Sequence, residues 1–380
     1  MVFTNPIEGF LIFIMARITH RKRIGLRLVL LPLVAVACST LALAQEAAPR
    51  LRLMMPKNYL CFHTDSPPTL DGTLSSPAWD KAPWTEAFVD IEGQAKPAPP
   101  LATRVKMLWD DGFFYIGAQL EEPQIWATLT QRDSVIFYDN DFEVFLDPDG
   151  DNHNYYELEI NALNTVWDLR LPKPYRDGGQ AINEWNIEGL RTAVHIDGAL
   201  NDTQTKSRGW SVEIAMPWRA LGGYALCPSP PREGDQWRIN FSRVEWDVTV
   251  QNEAFVKVAN RPEHNWVWSP QGVIDMHQPE RWGTVQFSRA SPETADFVSD
   301  ESALARGFLM SVYHAERAWR DKSGRYAATF AELGLSAPPS LFAPELLEQD
   351  DDFEASAAYQ TRDGKVRRLH VRSDSLLWHS

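Results

Sequence analysis

Between Asn140 and Leu171 the chain alternates apolar and polar residues, breaks at a run of acids and amides around Gly150, then alternates again. In NDFEVFLD, Phe142, Val144 and Leu146 share one face of a period-two strand, and in YYELEIN so do Tyr156, Leu158 and Ile160. Those faces are predicted core. The opposite faces carry Asp141, Glu143 and Phe145, then Tyr155, Glu157, Glu159 and Asn161. TRVKMLWDDGFFYIGAQLEE, GWSVEIAMPW and DQWRINFSRVEWD repeat the pattern, and the last adds Arg238 and Asn240 on its non-core side. Gly, Pro, Asp or Asn bounds each run, and no long helical period intervenes. The fold class this predicts is mainly β: an antiparallel β-sandwich, immunoglobulin-like or jelly-roll-like, over residues 59–288. A proline loop at 95–101 and a long excursion at 172–189 connect strands, and long ordered loops are often functional.

After residue 288 the period changes. Residues 302–321 place Leu304, Phe308, Val312, Ala315 and Trp319 on one helical stripe, and a shorter helix is predicted over TFAELGL. The acidic run EQDDD follows, then a hairpin turning at Asp363-Gly364. Residues 289–380 therefore read as a small C-terminal α+β appendage, with no catalytic motif and room for a protein partner.

The N-terminus reads as a signal peptide, residues 1–44, followed by a linker over 45–58. From Met15, the favoured start, a basic stretch leads into an apolar run ending at Ala42-Leu43-Ala44. A periplasmic or extracellular location follows, with lipid anchoring at Cys38 as the lesser alternative and no transmembrane span once the signal is removed. That removal takes away five basic residues and one acid, moving the formal charge from −14 to −18. Nucleic-acid binding needs clustered positive charge and is excluded as a class. Cys61 and Cys227 remain, and an even pair in an oxidising compartment is predicted to form a disulfide.

Five motifs, in order and at matching spacing, are familiar: LDGTLSSPAWDKAPW, VKMLWDDGFFYIGAQLEEP, NDFEVFLDPDG, GWSVEIAMPW and PERWGTVQFS. Together they resemble the family 9 carbohydrate-binding module across residues 59–288. The resemblance implies a sugar-binding β-sandwich with structural calcium, of the kind attached to secreted polysaccharide-degrading enzymes. It also implies site residues. Phe137-Tyr138 and Met276-His277 occupy the places of two sugar-gripping tryptophans. Glu143 matches a sugar-contacting glutamate, and Glu159 stands where the family has an arginine. Asn161, Arg238 and Asn240 complete the polar set on the non-core face, and Tyr175, Trp185, Trp266 and Trp268 are further candidate platforms.

The polar face has other readings. Glu157 and Glu159 point the same way, so they could act as the paired carboxylates of a glycosidase; matched to Arg238 and Arg243, they would be structural instead. The run Asp147-Pro148-Asp149-Gly150-Asp151-Asn152 offers alternating oxygens to a hard cation such as Ca²⁺, with Asp147, Asp149, Asp151 and Asn152 as ligands, or is a plain Asp-Gly turn. The reading adopted is an exported carbohydrate-binding protein acting in polysaccharide recognition and catabolism. The alternatives are a glycoside hydrolase, or a structural envelope protein without sugar affinity.

Overall fold

The structure is a computed structural model that describes residues 56–224, 227–349 and 351–380. The predicted signal peptide and nearly all of the predicted linker lie outside the described residues. Ahead of residue 289 the chain forms β1 (Asn58–His63), β2 (Val89–Asp90), β3 (Thr103–Trp109), β4 (Phe113–Glu121) and β5 (Asp141–Asp147). It continues as β6 (Tyr155–Asn161), β7 (Val166–Leu171), β8 (Arg191–Asp197) and β9 (Gly209–Pro217). After a one-turn helix, α1 (Trp218–Leu221), come β10 (Gln236–Glu245), a small hairpin of β11 (Val248–Gln251) and β12 (Ala254–Lys257), β13 (His264–Val267) and β14 (Gly283–Ser288).

These strands hydrogen-bond in the order β7-β6-β5-β10-β14-β1-β3-β4-β9-β8, with β13 against β10 and β2 against β13. The ladder curls over a common core. Phe142, Val144, Leu146, Tyr156, Leu158 and Ile160 meet Val105, Met107, Ile116, Ala118, Val212 and Ile214 across it, as the alternation predicts. One departure from a purely antiparallel sandwich stands at the centre: β1 runs parallel to both β14 and β3. Asn58–Phe62 pair with β14, and Phe62 and His63 pair with β3, so a single strand passes from one half to the other.

The motif LDGTLSSPAW is explained by one buried carboxylate. Glu213, on β9, accepts hydrogen bonds from the amides of Asp71 and Gly72 at 2.9 and 2.6 Å and from the Trp79 indole at 2.6 Å. Gly72 has φ +83°, and a Cβ there would lie 2.5 Å from the His195 amide, so only glycine fits. Trp79, in a 3₁₀ turn, packs there with Phe62, Leu108 and Tyr115.

The predicted disulfide does not form: Cys61 and Cys227 are both free thiols. Cys61 is fully buried among core side chains, and Cys227 lies half-buried in the loop after α1, near Trp237 and the acids of the 147–151 turn. Burial raises the Cys61 thiol well above its usual range and pushes Cys227 up to about 12, so both are held as inert, protonated groups.

The tail comprises α2 (Ala303–Ser323) and an antiparallel meander of β15 (Phe342–Gln349), β16 (Asp352–Gln360), β17 (Val366–Arg372) and β18 (Leu377–His379). The hairpin at Asp363-Gly364 is present, whereas the second helix predicted over 329–335 is a series of turns. There the Glu332 carboxylate accepts the Ala328 amide and pairs with Arg325 instead of facing solvent along a helix. The buried stripe of α2 is Ala305, Phe308, Leu309, Val312 and Tyr313, while Leu304 is exposed. The stripe is rotated because α2 is covered on two sides, by its own sheet and by the sandwich. Among the described residues no helix is long and apolar enough to cross a membrane.

Polar contacts bolt α2 and the β17–β18 turn to the sandwich. Asp177, buried in the 172–189 loop, accepts hydrogen bonds from Tyr313 (2.5 Å), Arg317 (3.0 Å) and Ser375 (2.7 Å). Glu280 binds Arg176 at 2.9 Å and His314 at 3.0 Å. Burial opposes the Glu280 charge, yet Arg176 and then His314 hold its carboxyl down to about 2. A depressed acid stabilises the fold above its ordinary pKa and loses that contribution as pH falls through the depressed value. Glu280→Gln is therefore expected to cost about 3 kcal/mol at pH 7 and little at pH 2. Urea unfolding of both proteins at the two pH values measures it; a pH-independent difference would contradict the assignment.

Candidate functional site

Strict alternation on β5 and β6 drives apolar residues into the core, so the intervening acids emerge together on the other side. Cross-strand register sets Glu143 opposite Glu159, Asp141 opposite Asn161, and Phe145 opposite Glu157. Asp141, Glu143, Glu157 and Glu159 are 0%, 5%, 6% and 2% exposed. Among the described residues none of them forms a salt bridge with a lysine or arginine. Desolvation raises all four carboxyls, and repulsion from neighbouring acids adds to it for Asp141, Glu157 and Glu159; Glu143 is pushed up to about 7.

The arginines that would have matched these acids lie elsewhere, for a simple reason of parity. Arg243 alternates to the opposite side of β10 and binds Glu122 at 2.7 Å and Glu245 at 2.8 Å. Arg238 shares the acid-bearing side but sits opposite Asp147, where it donates to Thr284 at 3.0 Å. Asn161 and Asn240 are on the right face, yet their amides are consumed locally. Asn161 binds Leu129, Asp139 and the amides of Leu163 and Thr165, and Asn240 binds Ser269 in both directions.

Aromatic rings border the acids at both ends. Near Asp141 and Glu159, a 3₁₀ turn (Ile136–Tyr138) presents Phe137 and Tyr138, with Trp167 of β7 beyond Phe137 at a ring separation of 6.4 Å. The Phe137 amide donates to Glu159 at 2.9 Å, and the Trp246 indole donates to the Phe137 carbonyl at 2.9 Å. Lys257 lies over Trp246 at 3.4 Å and within 5.5 Å of the Tyr138 ring. At the other end, His277 contacts the Tyr155 hydroxyl at 3.0 Å and the Tyr175 ring at 4.5 Å between centroids. Burial lowers His277 to about 4, so the imidazole is neutral, and burial with the Glu157 and Glu159 charges raises Tyr175 to about 12.

The structure thus gathers Phe137, Tyr138, Glu143, Glu159 and His277 around one face and separates Arg238 from them. Tyr175 joins them, while Trp266 and Trp268 belong to the core and Trp185 packs half-buried against it. Sequence reasoning missed Trp246 and Lys257. Their signal was the aromatic-basic content of the β11–β12 hairpin, whose short strands carry no strong period.

At the far end of β5, Asp147, Asp149 and Asp151 each bring a carboxylate oxygen within 4.8 Å of the others. Asp147 is fully buried and accepts the amides of Gly150 and Asn152, both at 3.0 Å. The Asn152 side-chain amide turns away to the Ser375 carbonyl at 2.9 Å, and Arg306 of α2 donates to the Gly150 carbonyl at 2.5 Å. The three carboxylates form an oxygen-rich set of the kind calcium takes; Asn152 is engaged with the tail.

The described residues thus form a curled β-sandwich with a buried acidic face bordered by aromatic rings. Residues 70–289 match the carbohydrate family 9 binding domain-like family, and the chain belongs to it. A family 9 carbohydrate-binding module from Caldicellulosiruptor kristjanssonii, solved with cellotriose, aligns over 64% of this chain and 100% of its own at 14% identity, with a TM-score of 0.41. A putative carbohydrate-binding protein from Bacteroides uniformis aligns over 62% of this chain and 100% of its own at 14% identity, with a TM-score of 0.46. No curated protein sequence matches the chain.

The buried acids carry a testable energetic signature. A carboxyl with a raised pKa makes the fold less stable as pH climbs above the ordinary glutamate range. In chelator-containing buffer, Glu157→Gln is expected to be more stable than wild type at pH 8, on the order of 1–3 kcal/mol for a charge without compensation. The gap closes toward pH 4. Chemical denaturation across that range checks it, and a variant less stable at pH 8 would refute the account.

Proposed function

We propose that the chain binds carbohydrate in the cleft between Tyr138 and Tyr175, as an exported protein serving polysaccharide or oligosaccharide recognition and catabolism. One observation carries the reading. Tyr138 and Tyr175 stay 56% and 45% exposed at opposite ends of the buried acids. Exposed rings suit the apolar C–H faces of a pyranose, and the carboxylate side accepts hydrogen bonds from its hydroxyls. Membership of a carbohydrate-binding family supports the same conclusion. The signal-like N-terminus supports export.

A glycan array identifies the ligand and calorimetry grades it. An aromatic stack is worth about 1 kcal/mol beyond area burial, roughly fivefold in affinity. Tyr138→Ala and Tyr175→Ala are each expected to weaken binding by about that factor, and Glu143→Ala by more. Unchanged affinity in all three would place the ligand elsewhere. Release of reducing ends that disappears in Glu157→Gln or Glu159→Gln would replace binding with the glycoside-hydrolase reading.

We further propose calcium at Asp147, Asp149 and Asp151, where it would supply the positive charge that this turn concentrates acids to receive. Chelation is then expected to lower the melting temperature of wild type and not of Asp149→Ala. Identical melts of wild type with calcium and with chelator would leave a metal-free turn.

A further inference from the structure

We propose that Asp141, Glu143 and Glu159 form a divalent-cation site beneath the cleft, separate from the turn at 147–151. Each of the three offers a carboxylate oxygen within 4.8 Å of the other two. A calcium-class ion holds its oxygens at about 2.3–2.6 Å, so oxygens on opposite sides of it stand roughly 5 Å apart. The placement is rigid. Glu143 and Glu159 are directly paired across β5 and β6, and Asp141 is the next residue along the same face.

A second observation points to a ligand. Asp141 is fully buried; one of its oxygens accepts the Val244 amide at 3.2 Å, and its Oδ2 meets no donor among the described residues. A buried acceptor with nothing to accept from is costly unless a cation fills the gap. The neighbouring donors are already spent. The Asn161 amide goes to Leu129 and Asp139, and the Phe137 amide takes only one Glu159 oxygen. The Ser242 hydroxyl, opposite Glu143 in register and fully buried, lies beside the Glu143 carboxyl and would add a neutral oxygen ligand.

Enclosure decides what kind of cation enters. With Asp141, Glu143 and Glu159 only 0%, 5% and 2% exposed, a dehydrated ion can reach all three, whereas the ammonium of an amino sugar would have to bring its ring along. Three carboxylates and a hydroxyl are a hard oxygen set, which selects calcium, magnesium or manganese over thiolate-seeking metals. An ion here would fix the acids that floor the cleft, so sugar affinity would depend on it; that consequence rests on the carbohydrate reading.

The test uses the full chain, stripped with chelator and titrated by calorimetry with CaCl₂ and MnCl₂, with ions counted by native mass spectrometry. Wild type is expected to take up an ion that Asp149→Ala retains and the double variant Asp141→Asn/Glu159→Gln loses. Glu159→Asp keeps the charge, shortens the reach, and is expected to bind at least tenfold more weakly while melting like wild type in chelator. Ion uptake by the double variant equal to wild type, or no uptake by Asp149→Ala, overturns the proposal. Glycan affinity is read separately. Ion binding without any glycan affinity sinks the carbohydrate reading alone, and glycan binding without ion uptake sinks the ion site alone.

Discussion

Buried carboxyls without a basic partner are the constraint around which this face is arranged. Asp141, Glu143, Glu157 and Glu159 are drawn out of water on one sheet face, and among the described residues no lysine or arginine forms a salt bridge with them. Everything near them reflects that condition. The Phe137 amide is aimed at Glu159, Trp246 braces Phe137 from behind, and Lys257 is held over aromatic rings instead of reaching the acids. A face spent only on stability would carry apolar residues or ion pairs at these positions, since uncompensated burial of charge is destabilising.

The region around Tyr175 also depends on a part of the chain beyond the family match. The match ends at residue 289, yet the loop that presents Tyr175 is tied through Arg176 and Asp177 to Tyr313 and Arg317 of α2 and to Ser375. Arg306 reaches the Gly150 carbonyl in the same way. The tail therefore acts as a brace for one aromatic wall and for the acidic turn. At the opposite end Glu213 does comparable work within the family domain, binding a glycine turn and a tryptophan through a single carboxylate.

Legibility followed periodicity. Period-two alternation placed β3, β4, β5, β6, β9 and β10 and sorted Phe142 from Glu143 correctly, because one-residue errors would bury acids in the core. The 3.6-residue period located α2 but not its inward face, since a helix covered on two sides has no single stripe. Pairing partners were harder to see. Nothing in the alternation says that β1 runs parallel, that Arg243 faces Glu122, or that Cys61 and Cys227 remain apart, because these are facts about distant segments. Asn161 and Asn240 appeared to be ligand groups by residue type, and their local backbone bonds appear only in three dimensions.

The central position of β1 bears on how the chain acquires its fold over time. Its partner β14 ends at Ser288, so the ladder joining the two halves has no second edge until nearly the whole domain has been synthesised. Until then β14's place is empty, and the β10 and β1 edges that it later joins stay open to other strands. Contacts so far apart in sequence are slow to form, because a long stretch of chain must be closed before they are rewarded. Edges completed this late are the ones in the sandwich most open to pairing with other strands while the chain folds.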